Sequence, residues 1–355
     1  MKPNNKEYCI SIIIPMFNGE RYIRKCLNSI LSQSLRQFEV IIIDDGSTDN
    51  SFEIVKQYSK NDKRVRVFSQ KNSGPLCARV KGLKEIKGDY FTFCDVDDYY
   101  SSKYSLEKMY NCIVESSCEM IQFGYFKKLR FFSLKKSGIE KDILTHDQFI
   151  KNEYPKLLCS FWKESALETN VWNKLYSRRL ITNVSDDLLN EKIFMGEDLI
   201  LNLFLCEQCN KVKYFPEPLY NYRDLTGFTS RWKAKDMYDL DKIKQYQIKF
   251  LNRIEREDKE EILKELYSET ASWFFCHIRN GIEELDEDEM IEYIKDVLSL
   301  PSFIQARNYF MINQSEKRLS ADLIREANPQ KYIAVAKTYK RSTKERVKAL
   351  IRKIM

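Results

Sequence analysis

The sequence predicts an α/β domain on a mixed, mainly parallel and Rossmann-like sheet flanked by helices, followed by a C-terminal helical appendage. Three observations carry this. Short apolar runs alternate with helically spaced stripes through the first hundred residues, polar clusters fall at the ends of three of those runs, and the chain from Lys233 onward carries helical periodicity alone.

Residues 11–14 read as the first strand. Tyr22, Ile23, Cys26, Leu27, Ile30 and Leu31 then repeat at three and four residues, as one face of a helix does. Residues 38–43 form the second apolar run. Behind it, Asn50 and Glu53 have capping-box spacing, and Phe52, Val55 and Tyr58 continue down a helical face. Residues 65–68 give a third strand, 76–83 a helix, and 90–94 a fourth strand that leads into Asp95-Val96-Asp97-Asp98. Residues 119–132 are aromatic and β-like, whereas 144–180 mix the two periods and assign to neither. From Lys233 charged residues surround apolar stripes with little Pro, so a helical domain is expected over 231–330.

Composition narrows the class. A chain of 355 residues with 43% hydrophobic side chains can bury a full core. The longest apolar runs are too short to span a bilayer and the first residues lack a secretory stretch, which predicts a cytoplasmic protein. The ten cysteines fall mostly in apolar segments, where a reduced thiol packs as a small hydrophobe. One CxxC, Cys206 to Cys209, has no second pair, and the chain has only two histidines, which argues against a zinc site. Most of the net charge of +7 resides after Gln330, where nine Lys or Arg face the single acid Glu345. The body is near neutral, which argues against a nucleic-acid partner.

In a doubly wound sheet ligands collect outside the carboxyl ends of the strands. Three clusters occupy those ends: Pro15, Phe17, Asn18 and Glu20 after the first strand, residues 44–49 after the second, and Asp95 to Asp98 after the fourth. Each alone could be a turn; together they suit a nucleotide diphosphate with its divalent ion. A hard cation takes one or two protein carboxylates plus phosphate oxygens, and Asp97 is the candidate, with Asp95 free to bind ribose hydroxyls or share the metal. Gly196-Glu197-Asp198 opens an apolar-faced helix, where acids serve equally as helix-terminal charges or as a general base.

Ser11-Ile-Ile-Ile-Pro15-Met-Phe-Asn18, Ile43-Asp-Asp-Gly-Ser-Thr-Asp49, Asn72-Ser-Gly74 with Ala78-Arg79, Gly88-Asp89 and Asp95-Val-Asp97-Asp98 together resemble the family 2 inverting glycosyltransferases. Val171-Trp-Asn-Lys-Leu-Tyr176 and Gly196-Glu197-Asp198 resemble acceptor-side and catalytic motifs of its bacterial polysaccharide-building branch, so the resemblance covers about residues 8–230. It implies a GT-A catalytic domain over 1–230, with a donor half to about 118 and an acceptor half from 119. It also implies transfer of a sugar from a nucleoside-diphosphate donor, expected to be UDP-linked, to a hydroxyl of a glycan or lipid-linked acceptor in capsule or exopolysaccharide synthesis, with Mn²⁺ or Mg²⁺. The donor residues would be Pro15, Phe17, Asn18, Glu20, Asp45, Asn72, Arg79 and Asp95, with Phe17 and Asp45 at the base; Asp97 and Asp95 would hold the metal, and Asp198 or its neighbour Glu197 would be the base. Trp172, Asn173 and Lys174 would line the acceptor pocket, while the residues alone read equally well as a core Trp beside solvated neighbours. Many relatives carry Tyr where this chain has Phe17, so a ring remains for stacking while a hydroxyl is lost.

The segment Tyr220-Asn-Tyr222-Arg223 with Thr229-Ser-Arg231-Trp232 resembles the stretch after the base, where a cationic loop closes over the diphosphate. Residues 331–355 form a basic amphipathic tail: Val347, Leu350, Ile351 and Ile354 share helical spacing and Lys344, Lys348, Arg352 and Lys353 surround them, as in helices that lie on an anionic membrane. Paired Asp residues also serve nucleotidyl transfer, and a GT-A-like module could bind nucleotide sugar without turnover. The sequence leaves homo-oligomerisation open.

Overall fold

The computed structural model describes residues 7–128, 133–136, 139–159, 165–223, 232–314 and 318–339. The chain divides into two compact units, residues 1–157 with 164–226 and residues 158–163 with 227–355.

The first unit is a mixed sheet with helices packed on it. In chain order its elements are β1 (Ile10–Met16), α1 (Ile23–Leu31), β2 (Phe38–Asp44), α2 (Ser51–Asn61), β3 (Val65–Ser69), α3 (Pro75–Lys84), β4 (Tyr90–Phe93), β5 (Tyr99–Tyr100), α4 (Ser105–Ser116), β6 (Met120–Lys128), β7 (Ser133–Lys136), β8 (Leu144–Thr145), α5 (His146–Asn152), α6 (Pro155–Leu158), β9 (Lys174–Ser177), two 3₁₀ turns (Arg178–Asn183, Asp186–Asn190), α7 (Glu197–Cys206) and β10 (Lys211–Arg223). The strand order is β3-β2-β1-β4-β9-β6-β10-β5, with β7 beside β6 and β8 beside β10. β3, β2, β1 and β4 run parallel. β1 and β2 are continuous apolar runs because central parallel strands are covered on both faces, and Ile12, Ile14, Val40 and Ile42 have no exposed surface.

β9 is the joint between the sheet's two parts. It pairs antiparallel with β4 through Tyr90 opposite Ser177 and Phe91 opposite Tyr176, and with β6 on its other side. Phe91 stacks on Tyr176 at 5.2 Å, and Thr92 Oγ1 donates to Lys174 O at 2.8 Å. Beyond β9 the parallel pair β6 and β10 completes the sheet, its register shifting between Phe215 and Pro218, where proline has no N–H to give the ladder.

The expected capping box of α2 is absent: Asn50 makes no side-chain cap bond there. The carboxylate of Glu20 instead accepts from Asn50 N at 3.1 Å and Nδ2 at 2.8 Å. A partner distant in sequence thus replaces the local one.

The second unit contains α8 (Asp236–Leu251), α9 (Lys259–Gly281), α10 (Glu287–Leu298), α11 (Pro301–Ile312) and α12 (Leu319–Glu326). Phe274, Ile278, Ile294, Phe303 and Phe310 lie at its core. A capping box between Asp286 and Glu289 starts α10. Tyr332, Ile333 and Ala336, at the start of the expected basic tail, are buried in this core. The tail's stripe, Val347, Leu350, Ile351 and Ile354, lies outside the described residues, as do Thr229, Ser230 and Arg231. The cysteines are free thiols, and all but Cys276 are buried. Among the described residues no helix is long and apolar enough to cross a membrane.

Candidate active site

The loops after β1, β2 and β3 are bound into one platform. Asn18 adopts a left-handed φ of 51°; its N–H donates to Ser47 Oγ at 3.0 Å and its Oδ1 accepts from Thr48 N at 2.8 Å. Glu20 N donates to Asp49 Oδ2 at 3.1 Å. Asn18 and Glu20 therefore connect the first loop to the second. Pro15 sits in β1 opposite Ile43, and Phe17 just beyond the strand is 47% exposed, an apolar ring left facing solvent.

Asp45 is buried, and both its oxygens hold the loop after β3: Oδ1 accepts from Gln70 Nε2 and Ser73 N, and Oδ2 from Gly74 N, each at 2.8 Å. Asn72 lies half-buried inside that loop. Gly74 takes φ 91°, a conformation side-chain-bearing residues avoid, and a Cβ there would meet Ile193 O at 3.3 Å and the Phe194 ring at 3.4 Å. Phe194, 45% exposed, stands beside this platform without having been singled out in the sequence.

At the end of β4, Asp95 N donates to Tyr220 Oη at 3.0 Å. Burial, and then the neighbouring Asp95 charge, push the Asp97 carboxyl up to about 6. Asp98 is buried; one oxygen accepts from Arg223 N at 2.7 Å, the other has no hydrogen-bond partner among the described residues, and burial drives its pKa well above the carboxylate range. This donor set fits a hard divalent cation: Asp97 and Asp95 offer oxygen ligands, and a cation would relieve the cost of an ionised Asp97. Among the described residues no group of three or more His, Cys, Asp or Glu is placed to hold a metal ion by itself.

Arg79 joins this edge to the start of α7. Its Nη2 donates to Asp95 Oδ1 at 2.9 Å, and its Nη1 donates to Glu197 Oε1 at 3.0 Å and lies 3.1 Å from Asp198 Oδ1. The guanidinium is buried, so these charges meet with little water between them. The third contact is an ion pair without hydrogen-bond geometry, so Asp198 Oδ1 remains a buried acceptor with no donor, while Oδ2 accepts from Val171 N at 3.3 Å. Burial first, then Asp198, raise the Glu197 carboxyl to about 7 against the lowering effect of Arg79. Asp198 is likewise raised by burial, with Arg79 opposing.

The acceptor-side triplet differs from the expected open pocket. Trp172, Asn173 and Lys174 are all buried. Trp172 stacks on Tyr220 and Tyr222 at 5.0 and 5.2 Å and meets Tyr125 edge-on at 4.8 Å. Asn173 Nδ2 donates to Glu168 Oε2 at 2.5 Å. Lys174 Nζ donates to Glu168 O at 2.7 Å, to Asn173 Oδ1 at 3.1 Å and to Asn170 O, so its three protons are used internally, and burial pushes its pKa down to about 8. They brace the segment that carries Val171 to Asp198. Around them Glu168, Asn170, Tyr125 and Tyr222 are half-buried.

The profile of Glycosyl transferase family 2 matches residues 11–166. The glycosyltransferase GlyA of Streptococcus pneumoniae is 33% identical over 65% of this chain, which spans 33% of that protein's length. EpsJ of Bacillus subtilis, an uncharacterized glycosyltransferase, is 32% identical over 68% of each chain. The structure of S. aureus TarS 1-349 in complex with UDP-GlcNAc superposes with a TM-score of 0.66 over 94% of this chain and 92% of that one at 20% identity, a likeness of GT-A fold. The chain belongs to glycosyl transferase family 2.

Proposed function

We propose that the protein transfers a sugar from a nucleoside-diphosphate donor, UDP-linked as in the TarS complex, to a hydroxyl of a glycan or lipid-linked acceptor in bacterial polysaccharide synthesis. One observation carries this reading. Arg79 brings the acid that would face donor ribose and metal, Asp95, and the acids that would face the acceptor, Glu197 and Asp198, onto one buried guanidinium.

Phe17 would stack on the base beside Asp45, and Asp97 with Asp95 would hold Mn²⁺ or Mg²⁺ on the diphosphate. The ion would supply charge stabilisation for the departing diphosphate. Asp198 is the base. Glu197 Oε1 is occupied by a hydrogen bond from Arg79, whereas Asp198 Oδ1 has an unfilled lone pair, the better receptor for an incoming proton. The acceptor oxygen attacks the anomeric carbon and its proton passes to Asp198. The bond to the diphosphate breaks with its electron pair on the leaving oxygen, and the anomeric configuration inverts.

The test is incubation of the full chain with a panel of nucleotide sugars and hydroxyl acceptors, with and without Mn²⁺. Nucleotide release, product mass and the NMR coupling of the new linkage are followed. Metal-dependent release with an inverted product is expected; retention overturns the single displacement, and binding of UDP without any turnover leaves a nucleotide-sugar binding module.

A further inference from the structure

Lys174 has no exposed surface, so its ammonium is closed off from donor and acceptor alike. A buried charge is costly where an apolar side chain of equal length would fill the same space. What an ammonium adds is three N–H groups and no acceptor, and here each meets an oxygen: Glu168 O, Asn170 O and Asn173 Oδ1. The carbonyl between the first two, Thr169 O, accepts from Asn202 Nδ2 at 2.7 Å. Tyr176 Oη donates to Asn202 Oδ1 at 2.7 Å and so fixes the orientation of that amide. Lys174 and Tyr176 alternate on one face of β9, while Asp198 and Asn202 stand four apart on one face of α7. Three successive carbonyls, 168–170, are thus tied to β9 and α7. The next N–H along the chain, that of Val171, is the one that donates to Asp198 Oδ2, and Asp198 Oδ1 keeps its lone pair. Gln122 of β6 holds the same segment further from Asp198: its Nε2 donates to Ala166 O and its Oε1 accepts from Glu168 N, both at 2.9 Å.

We propose that Lys174 is a positioning residue for the general base: it fixes the carbonyls of 168–170 so that the Val171 N–H holds one oxygen of Asp198 and leaves the other to take the acceptor's proton. This rests on the reading of Asp198 as the base. A catalytic group displaced by about 1 Å can lose on the order of 10² in rate, so Lys174 acts on turnover through the segment it ties down. The nucleotide platform at the ends of β1 and β2 makes no bond to that segment and is untouched. The arrangement also has a pH signature. Burial pushes the ammonium down to about 8, while Cys206 and Asp198 on α7 and Glu168 in the segment face it and oppose the fall. Above that value the amine has two protons for three oxygens, and one of them loses its donor.

The experiment follows UDP release from UDP-GlcNAc by the full chain across neutral and alkaline pH, with the hydroxyl acceptors of the panel above present. Wild-type kcat is expected to fall as pH rises through about 8 while the KM for UDP-GlcNAc stays constant. Lys174→Met is expected to lose about tenfold to a hundredfold in kcat at unchanged calorimetric affinity for UDP. Lys174→Arg, which stays protonated, is expected to keep part of the rate and to lose the alkaline fall. Gln122→Met is the control: it breaks two bonds to the same segment away from Asp198 and is expected to keep its kcat. A wild-type kcat that stays level through that range overturns the proposal, as does undiminished kcat in a Lys174→Met variant with native circular dichroism, or an equal fall in the control. Should Lys174→Met not fold, the wild-type profile and Lys174→Arg decide. Hydrogen exchange of the Val171 amide, read by NMR on valine-labelled protein, needs no turnover. It is expected to quicken about tenfold or more in Lys174→Met alone, and equal rates overturn the proposal whether or not UDP is released. Normal turnover by Asp198→Asn overturns it too, and there the fault lies in the base assignment.

Discussion

Replacing Arg79 by Met should cost the catalytic unit about 3–5 kcal/mol at pH 7.5, the usual penalty for removing one partner of a buried ion pair. The structure explains why the figure belongs to that range: one guanidinium lies within 3.1 Å of three carboxylates, and none of the three has lysine or arginine as a second ion-pair partner among the described residues. The cost depends on pH in a defined direction. Glu197 is already raised by burial to about 7, so it favours the folded state below its ordinary value of 4.5, and that advantage is lost as pH rises through about 7. Without Arg79 the folded value climbs further, so the gap between wild type and variant should widen above pH 7 and narrow towards pH 5. Urea unfolding followed by circular dichroism at pH 7.5 and 5.5 measures both. A difference below about 1 kcal/mol at pH 7.5, well under the buried-pair range, or one that does not shrink at pH 5.5, would refute the account of a charge-bearing hub. Arg79→Lys, which keeps the charge without the fork, should fall between the two and covers the case in which the Met variant does not fold.

Asp97→Asn should abolish Mn²⁺-dependent UDP binding in calorimetry, and in the wild type that binding should fade as pH drops through about 6, because burial and Asp95 make Asp97 take up a proton there. Asp198→Asn should retain UDP affinity and lose about 10² to 10⁴ in transfer rate; near-normal turnover in that variant with an inactive Glu197→Gln would move the base to its neighbour. Gly281→Ala would place a Cβ 2.1 Å from Trp232 Cε2, so the indole must leave His277, to whose carbonyl its Nε1 donates at 3.1 Å. About 1–3 kcal/mol of overpacking should follow, with a lower melting temperature in calorimetry and red-shifted tryptophan emission.

The strands and helices of the first hundred residues were legible because each is specified locally: β1 and β2 by unbroken apolar runs, α1 by its stripe, and α3 by Pro75 at its start. The acidic ends of β2 and β4 could be read for the same reason, since chain order alone puts them on one edge of a parallel sheet. Residues 144–180 could not be read. Their short strands owe their form to distant partners, β9 to Tyr90 and Met120 and β8 to Lys211, and only α5 carries a local signal, the capping box of Thr145 and Gln148. The burial of Trp172, Asn173 and Lys174 was hidden for the same reason: three residues at the edge of a four-residue strand have no period from which to tell an inner face from an outer one, and Lys174 is accommodated inside by carbonyls that its own sequence neighbours turn towards it. The Asn50–Glu53 box failed in similar fashion: Glu20, thirty residues away, accepts from Asn50 N in place of Glu53 and from Asn50 Nδ2 as well.

The joint at β9 has an evolutionary consequence. Within the sheet ladder the parallel strands meet the rest through two residue pairs, Tyr90 with Ser177 and Phe91 with Tyr176, reinforced by one stacked ring and one threonine bond, while the Arg79 ion pairs and a shared apolar core cross the same boundary off the ladder. An exchange of the chain between α4 and β9 would leave the ladders among β1, β2, β3 and β4 intact, since none of them passes through it. Chimeras that import residues 119–170 from a relative but keep Lys174 to Ser177 should fold, and those that alter Tyr176 along with the import should be the ones lost.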